Sequence, residues 1–196
     1  ISQNARKVVF CGTFDTKGGK AEMADGGLRI VQPGRIRKLV RQVENVTFSG
    51  AQAIMSIDCA SERGLTLARF SPRTMKRLEA VISTEPKRKN PVDTYPDMNV
   101  HGFEKTSISI LEALFDDDGV DGIFLISFAA YGTDMLRPVA EVIKEKANKP
   151  VFISLLGDPD QEMLCRSFLM EQEIPIFGFP ETGIEVFSGM WQYAKN

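Results

Sequence analysis

"VTFSGAQAIMSIDCASERG", residues 46 to 64, decides the fold. It opens as a short apolar strand and turns at Ser49-Gly50 straight into a helix, the junction of a parallel βαβ unit. A strand feeding a helix through Ser-Gly allows two readings of that turn. Free N–H groups and a partial positive charge at a helix start receive phosphate or carboxylate oxygens, and Gly50 lets the backbone come close. Equally, Ser49 followed three residues later by Gln52 satisfies the capping-box pattern and needs no ligand. Spacing alone favours the capping box.

Outward from this stretch, β-rich runs alternate with helical ones. The strands expected are 46–49, "LTLARF" (65–70), "GIFLIS" (122–127), "PVFISLL" (150–156) and "IPIFGF" (174–179). Several are apolar throughout, as in strands covered on both faces. Ser71-Pro72 and Asp158-Pro159 each supply an N-cap and a proline at the first helical position. Pro180 opens a last helix whose Ile184, Phe187 and Trp191 share one face. The pattern predicts a flavodoxin-like, doubly wound parallel sheet of about five strands in a three-layer α/β/α sandwich.

Residues 1–45 fit that frame less well. "RKVVFCGTF" reads as a strand and "GRIRKLVRQVEN" as a short amphipathic helix, while "DTKGGKAEMADGGLRIVQPG" between them reads as a loop or the remnant of a preceding domain. The expected division is therefore 1–45 and 46–196. A second connector, "STEPKRKNPVDTYPDMNVHG", carries three prolines and little hydrophobic pattern. It reads as a long loop, and long loops are often functional.

Composition narrows the class. With 196 residues, 43% apolar and 26% charged, the chain can bury a sizeable core. A net charge of -2 leaves no electrostatic footprint for nucleic acid. The basic runs Lys87-Arg88-Lys89 and Arg35-Ile36-Arg37-Lys38 read as solvated faces. Cys11, Cys59 and Cys165 are odd in number and unpaired in spacing, which points to reduced core thiols and a cytoplasmic setting. The longest apolar run is too short to span a bilayer.

Other motifs carry little chemistry. "CGTFDTKGGKA" fails as a phosphate loop because Phe14 stands where the first Gly belongs and Ala21 where the magnesium-binding Ser or Thr is required. His101 is the single histidine, which excludes any two-histidine zinc site, and it reads as a polar loop residue. Without a G-x-S-x-G elbow, no serine-hydrolase triad assembles around it. The "DDDG" run at 116–119 reads as a solvated turn rather than a cation site, and no metal site is expected. Asp134 and Asp158 follow predicted strands at the carboxyl edge, where open α/β sheets bind ligands, so both are site candidates. Asp158 is equally an ordinary N-cap.

From Val46 onward the order of segments resembles the ligase domain of ADP-forming acyl-CoA synthetases, relatives of succinyl-CoA synthetase. The matching pieces are "TFSGAQAIMSIDCASERGLTL", "FSPRTMKRL", "KNPVD", "LFDDDGVDGIFLI", "KPVFISLLG" and "EIPIFGFPETGIEVF", in that order over about three quarters of the chain. The resemblance implies a flavodoxin-like fold and a reaction that interconverts acyl-CoA, ADP and phosphate with acid, CoA and ATP, through an acyl phosphate and a phosphohistidine. It implies that Ser49, Gly50 and Ala51 face the phosphate, with Asn90 and Asp93 shaping the nearby loop. CoA, ATP or ADP and magnesium are implied for the whole assembly, with ATP-grasp and CoA-binding domains as partners and an oligomer as the expected state. Family members have a second Gly where this chain has Ala51. Nothing in residues 1–45 matches the family's Ser-His-Thr-Gly context, and that role does not pass to His101. The chain is thus expected to be one ligase component, inactive alone. The alternative is a non-catalytic flavodoxin-like module that binds acyl-CoA, nucleotide or a protein.

Overall fold

The computed structural model describes residues 21–24, 27–30, 42–47, 49–95, 97–146 and 148–195. Its elements in chain order are β1 (Ala21–Ala24), β2 (Gly27–Ile30), β3 (Gln42–Thr47), α1 (Gly50–Glu62), β4 (Thr66–Leu67), α2 (Pro72–Leu78), β5 (Val92–Asp93), α3 (Asp97–His101), α4 (Phe103–Phe115), β6 (Gly122–Phe128), α5 (Gly132–Lys146), β7 (Val151–Leu156), α6 (Pro159–Glu171), β8 (Ile176–Phe177) and α7 (Pro180–Lys195). Strands β1 and β2 pair antiparallel. The other six form one sheet in the order β4-β3-β6-β7-β8, with β5 also on β3, and every pairing in it is parallel.

The edge of β3 away from β6 is shared. β4 pairs with Gln42 and Val43, and β5 pairs with Val46 and Thr47. Two short strands thus occupy one sheet position, giving the five-position, doubly wound order expected from the alternating pattern. Helices cover both faces. Val43, Phe124, Ile126 and Phe152 pack with Ile184 and Phe187 of α7 and the end of α1, and Phe152 stacks on Phe187 with centroids 4.1 Å apart. On the other face Val46, Ile123, Leu125 and Ile153 pack under α2, α4, α5 and α6. The expected face of α7 holds: Ile184 and Phe187 are fully buried, and Trp191 packs against the same cluster.

Caps hold at two of the three expected helix starts. Ser71 Oγ accepts the Thr74 N–H at 3.2 Å, and Asp158 Oδ1 accepts those of Asp160 and Gln161 at 3.0 and 3.3 Å. Burial pushes the Cys59 and Cys165 thiols up from their ordinary range, as for inert core groups. Cys11 lies outside the described residues.

Several expectations change. The first long strand begins at Gln42, so residues 42–45 of the predicted helix "GRIRKLVRQVEN" are sheet. Polar Gln42, Glu44 and Asn45 mask a strand whose Val43 and Val46 face opposite cores. This strand therefore crosses the 45/46 boundary. The remainder of that helix and the strand "RKVVFCGTF" lie outside the described residues. The predicted glycine-rich loop carries β1 and β2. The strand expected at 65–70 shrinks to Thr66–Leu67, and that at 174–179 to Ile176–Phe177, because edge positions offer short stretches to pair with. The connector 83–102 is not a loop: it contains a 3-10 turn (Glu85–Arg88), β5 and α3. His101 accordingly closes α3, half-buried, rather than standing in a loop.

The acidic run is not a plain solvated turn either. Asp117 is buried, and its carboxylate accepts the N–H groups of Ser71 at 2.8 Å and Gly119 at 2.9 Å. Asp116 pairs with Arg77 at 2.7 Å and Lys146 at 3.4 Å. A Cβ on Gly119 would stand 2.7 Å from the Arg69 carbonyl oxygen, so only glycine fits that close approach.

Candidate functional site

All strands of the parallel sheet point their carboxyl ends to one edge, and the chain order reverses at β3, whose neighbours are β4 and β5 on one side and β6 on the other. In doubly wound sheets this switch point opens a crevice for ligands. The turn after β3 lies there.

Ser49 is the N-cap of α1, with extended backbone, but its side chain makes no cap bond. The predicted capping box therefore does not form. Its physical reason is Thr47: the Thr47 hydroxyl accepts the Ser49 N–H at 2.9 Å and donates to the Ser49 carbonyl at 3.0 Å, closing the turn locally. The Ser49 N–H that a capping-box Gln52 would bind is thus taken. Gln52 Oε1 is buried without a hydrogen-bond partner among the described residues. The first intrahelical bond runs from Ala53 N–H to Ser49 O at 3.0 Å, so the N–H groups of Gly50, Ala51 and Gln52 precede it. Among the described residues a Cβ on Gly50 would meet nothing within 4 Å, so they leave the backbone there open to approach.

β5 borders the turn. Thr94 donates twice to the Thr47 carbonyl, from N at 2.7 Å and from Oγ1 at 3.1 Å, and Asp93 is in register with Thr47. Since Val46 and Val92 pack in the core under α2 and α4, alternation turns Thr47 and Asp93 to the other face, where α1 lies. Asp93 Oδ1 accepts the Tyr95 N–H at 3.0 Å, and Oδ2 lies 3.6 Å from Lys87 Nζ. Lys87 also donates to the Tyr95 carbonyl. Asn90 binds β3 itself, donating to the Val43 carbonyl at 2.8 Å and accepting the Asn45 N–H at 3.2 Å. Ser49, Gly50, Ala51 and Asp93, far apart in sequence, therefore meet at the carboxyl end of β3, while Asn90 fastens the same strand farther back, at Val43 and Asn45.

Asp134 and Asp158 do reach the carboxyl edge, in the first turn of α5 and at the cap of α6. Asp134 pairs only loosely with Arg137 on its own helix, at 3.9 Å. Asp158 is engaged by its helix, so its carboxylate is an N-cap. Neither bonds to the Ser49 turn.

Features of this edge escape the sequence pattern. Lys87 and Arg88 are half-buried against Asp93 and Glu79 rather than forming a solvated face; only Lys89 of that run is well exposed. The signal that could have found Lys87 is its spacing from "NPVD", since a short turn brings it back over β5. Large apolar side chains stand exposed on the same edge: Tyr95 at 57%, Phe128 at 37% and Phe179 at 71%. Beneath the site Glu44 is fully buried in β3, with Oε1 accepting the Val92 N–H at 3.3 Å and Oε2 without a partner among the described residues. Burial holds its carboxyl well above the usual range, only partly offset by the Val92 hydrogen bond. Among the described residues no group of three or more His, Cys, Asp and Glu side chains could hold a metal ion, and no helix is long and apolar enough to cross a membrane.

No family model matches the chain. Over 157 residues it is 26% identical to ADP-forming acetate–CoA ligase II of Archaeoglobus fulgidus, covering 79% of this chain and 23% of the relative. Over 79 residues, 40% of this chain and 14% of the relative, it is 39% identical to the Escherichia coli acetate CoA-transferase YdiF. The acetyl-coenzyme A synthetase 1 of Ca. Korarchaeum cryptofilum, solved with phosphate and ADP, superposes with a TM-score of 0.66 at 19% identity, over 79% of this chain and 33% of that one. A Pyrococcus horikoshii protein superposes with a TM-score of 0.68 at 22% identity, covering 79% of this chain and 36% of that one. The chain thus spans about a seventh of the transferase and about a quarter of the ligase. The resemblance to ADP-forming acyl-CoA synthetases, first visible in six short motifs, is borne out by these relatives, and the α/β fold by the solved structures.

Proposed function

We propose that this chain is a component of an ADP-forming acid–CoA ligase, in which the start of α1 binds a phosphoryl group at the acyl-transfer centre. The similarity to acetate–CoA ligases over 79% of the chain carries this reading. The alternative of a non-catalytic binding module is not favoured by such relatives. Three features of the turn support the phosphate assignment: the Ser49 side chain makes no cap bond, and among the described residues Gln52 Oε1 has no partner and a Cβ at Gly50 would meet nothing within 4 Å. The N–H groups of Gly50, Ala51 and Gln52 offer a phosphate their hydrogen bonds.

The chemistry asked of these residues is electrostatic. Backbone N–H groups fixed by the helix stabilise a phosphoryl oxygen without needing to gain or lose a proton. Thr47 and Thr94 hold the turn in place, and Asn90 and Asp93 shape its flank. CoA, the adenine nucleotide and magnesium belong to the whole assembly and are brought by ATP-grasp and CoA-binding partner domains; the described residues offer no metal site of their own. Exposed Tyr95, Phe128 and Phe179 suit an edge that docks against such domains.

A second reading comes from the transferase matches: 39% identity over 79 residues to an acetate CoA-transferase and 49% over 53 residues to a caffeate CoA-transferase of Acetobacterium woodii. Both readings involve CoA and a carboxylic acid, and they part on the need for a nucleotide. The chain is assayed together with the domains that copurify with it, using acetate, CoA and ATP. ADP and phosphate released in step with acetyl-CoA support the ligase. Exchange of CoA between acetyl-CoA and a second acid without nucleotide would support the transferase and overturn the ligase.

A further inference from the structure

Lys87 is linked to the Ser49 turn through Asp93 and β3. Its Nζ lies 3.6 Å from Asp93 Oδ2, the Asp93 backbone is in register with Thr47, and the Thr47 hydroxyl closes the turn on Ser49. Neighbouring strands stand about 4.8 Å apart, so the Asp93 backbone is one strand spacing from Thr47. Asp93 and Thr47 face the side on which α1 starts. The Lys87 side chain is 28% exposed and partly desolvated, and its ammonium sits at the end of a flexible four-carbon stem. Besides Asp93 its other acceptor is a neutral carbonyl, that of Tyr95.

We propose that Lys87 is the counter-cation of the α1 anion site, held on Asp93 until a phosphoryl dianion arrives and then shared with it. This rests on the phosphate site proposed above and adds its regulation: Asp93 competes with the anion for the lysine, so the carboxylate sets how tightly phosphate is held. A dianion outcompetes one carboxylate for an ammonium group because it brings more charge and more acceptor oxygens. A singly charged anion of similar size gains less.

The test is inorganic phosphate binding to the full chain by calorimetry at low and moderate salt, with unliganded melting as the check on folding. Lys87→Met is expected to weaken phosphate about three- to tenfold and to flatten the salt dependence, with Lys87→Arg restoring most of it. Asp93→Asn is expected to tighten phosphate about two- to threefold by freeing the lysine, and to have no effect in the Lys87→Met background. A purely structural ion pair would not produce that coupling. If wild type fails to bind phosphate, or Gly50→Val binds it equally well, the α1 site itself is wrong. If binding requires Gly50 but Lys87→Met matches wild type, the site stands and the role of Lys87 is overturned.

Discussion

The carboxamide of Asn90 stands in for a missing strand residue beside Val43. Its Nδ2 donates to the Val43 carbonyl at 2.8 Å and its Oδ1 accepts the Asn45 N–H at 3.2 Å, in the stretch of β3 edge between the pairing of β4 and that of β5. A side-chain amide has the same donor and acceptor as a peptide group, which lets two short strands share one sheet position. Asn90→Ala would take the Asn45 N–H's acceptor away and remove one of two donors from the Val43 carbonyl, which keeps the Ala68 N–H at 3.2 Å. Chemical denaturation should show a loss of about 2 kcal/mol. Asn90→Asp keeps the acceptor but sets a carboxylate oxygen against the Val43 carbonyl, so it should be the more harmful change at neutral pH and recover in acid.

Glu44 makes stability fall with rising pH. Its carboxyl is raised by burial in the folded chain, so its favourable contribution is fully present below the ordinary glutamate value, about 4.3, and is lost as pH rises toward the folded value. Glu44→Gln keeps the oxygen that accepts the Val92 N–H and removes the titration. Unfolding curves between pH 5 and 9, roughly the range above that ordinary value, should slope downward for wild type and be flatter for Glu44→Gln. Parallel curves for the two proteins would contradict the assignment.

Asp117 acts with the opposite sign. Burial raises its carboxyl, but hydrogen bonds from Thr74, from the Ser71 and Gly119 N–H groups and from the Ser71 hydroxyl outweigh it and hold the group below its usual range. A depressed folded value contributes stability above the ordinary aspartate value and loses it as pH falls through the folded one. Asp117→Asn should therefore destabilise the chain at pH 7, by about 1 to 3 kcal/mol, and reduce the steepness of acid unfolding.

Gly183 sits where α7 crosses the sheet. A Cβ there would stand 2.4 Å from Phe124 Cε2 and 3.2 Å from Phe177 Cδ2, both on the face lined by Phe152 and Phe187. Alanine favours a helix elsewhere, yet overpacking dominates at this position, so Gly183→Ala should cost about 1 to 3 kcal/mol in thermal or chemical unfolding. A Cβ at Gly50 meets nothing within 4 Å among the described residues, so Gly50→Val should leave the unfolding midpoint nearly unchanged while weakening phosphate.

The local signals were sufficient for much of the architecture. Apolar runs marked β6 and β7 because central parallel strands are covered on both faces, and Ser71-Pro72, Asp158-Pro159 and Pro180 marked helix starts because caps and first-turn prolines act through neighbouring backbone. The same locality brought out six motifs in family order. What depended on partners distant in sequence stayed hidden. Gln42–Asn45 join the sheet because two cores and Asn90 receive them, β5 exists only against β3, and Asp117 is buried because the backbone of Ser71 comes to it. The Ser49 turn shows the division most clearly. The strand, the turn and the helix were legible from residues 46 to 64, whereas the capping box failed because Thr47 took the Ser49 N–H and β5 secured Thr47 from the side. Hydrogen bonds saturate, so which of several eligible groups is left free at a helix start is decided only when the competing partners are brought together in space.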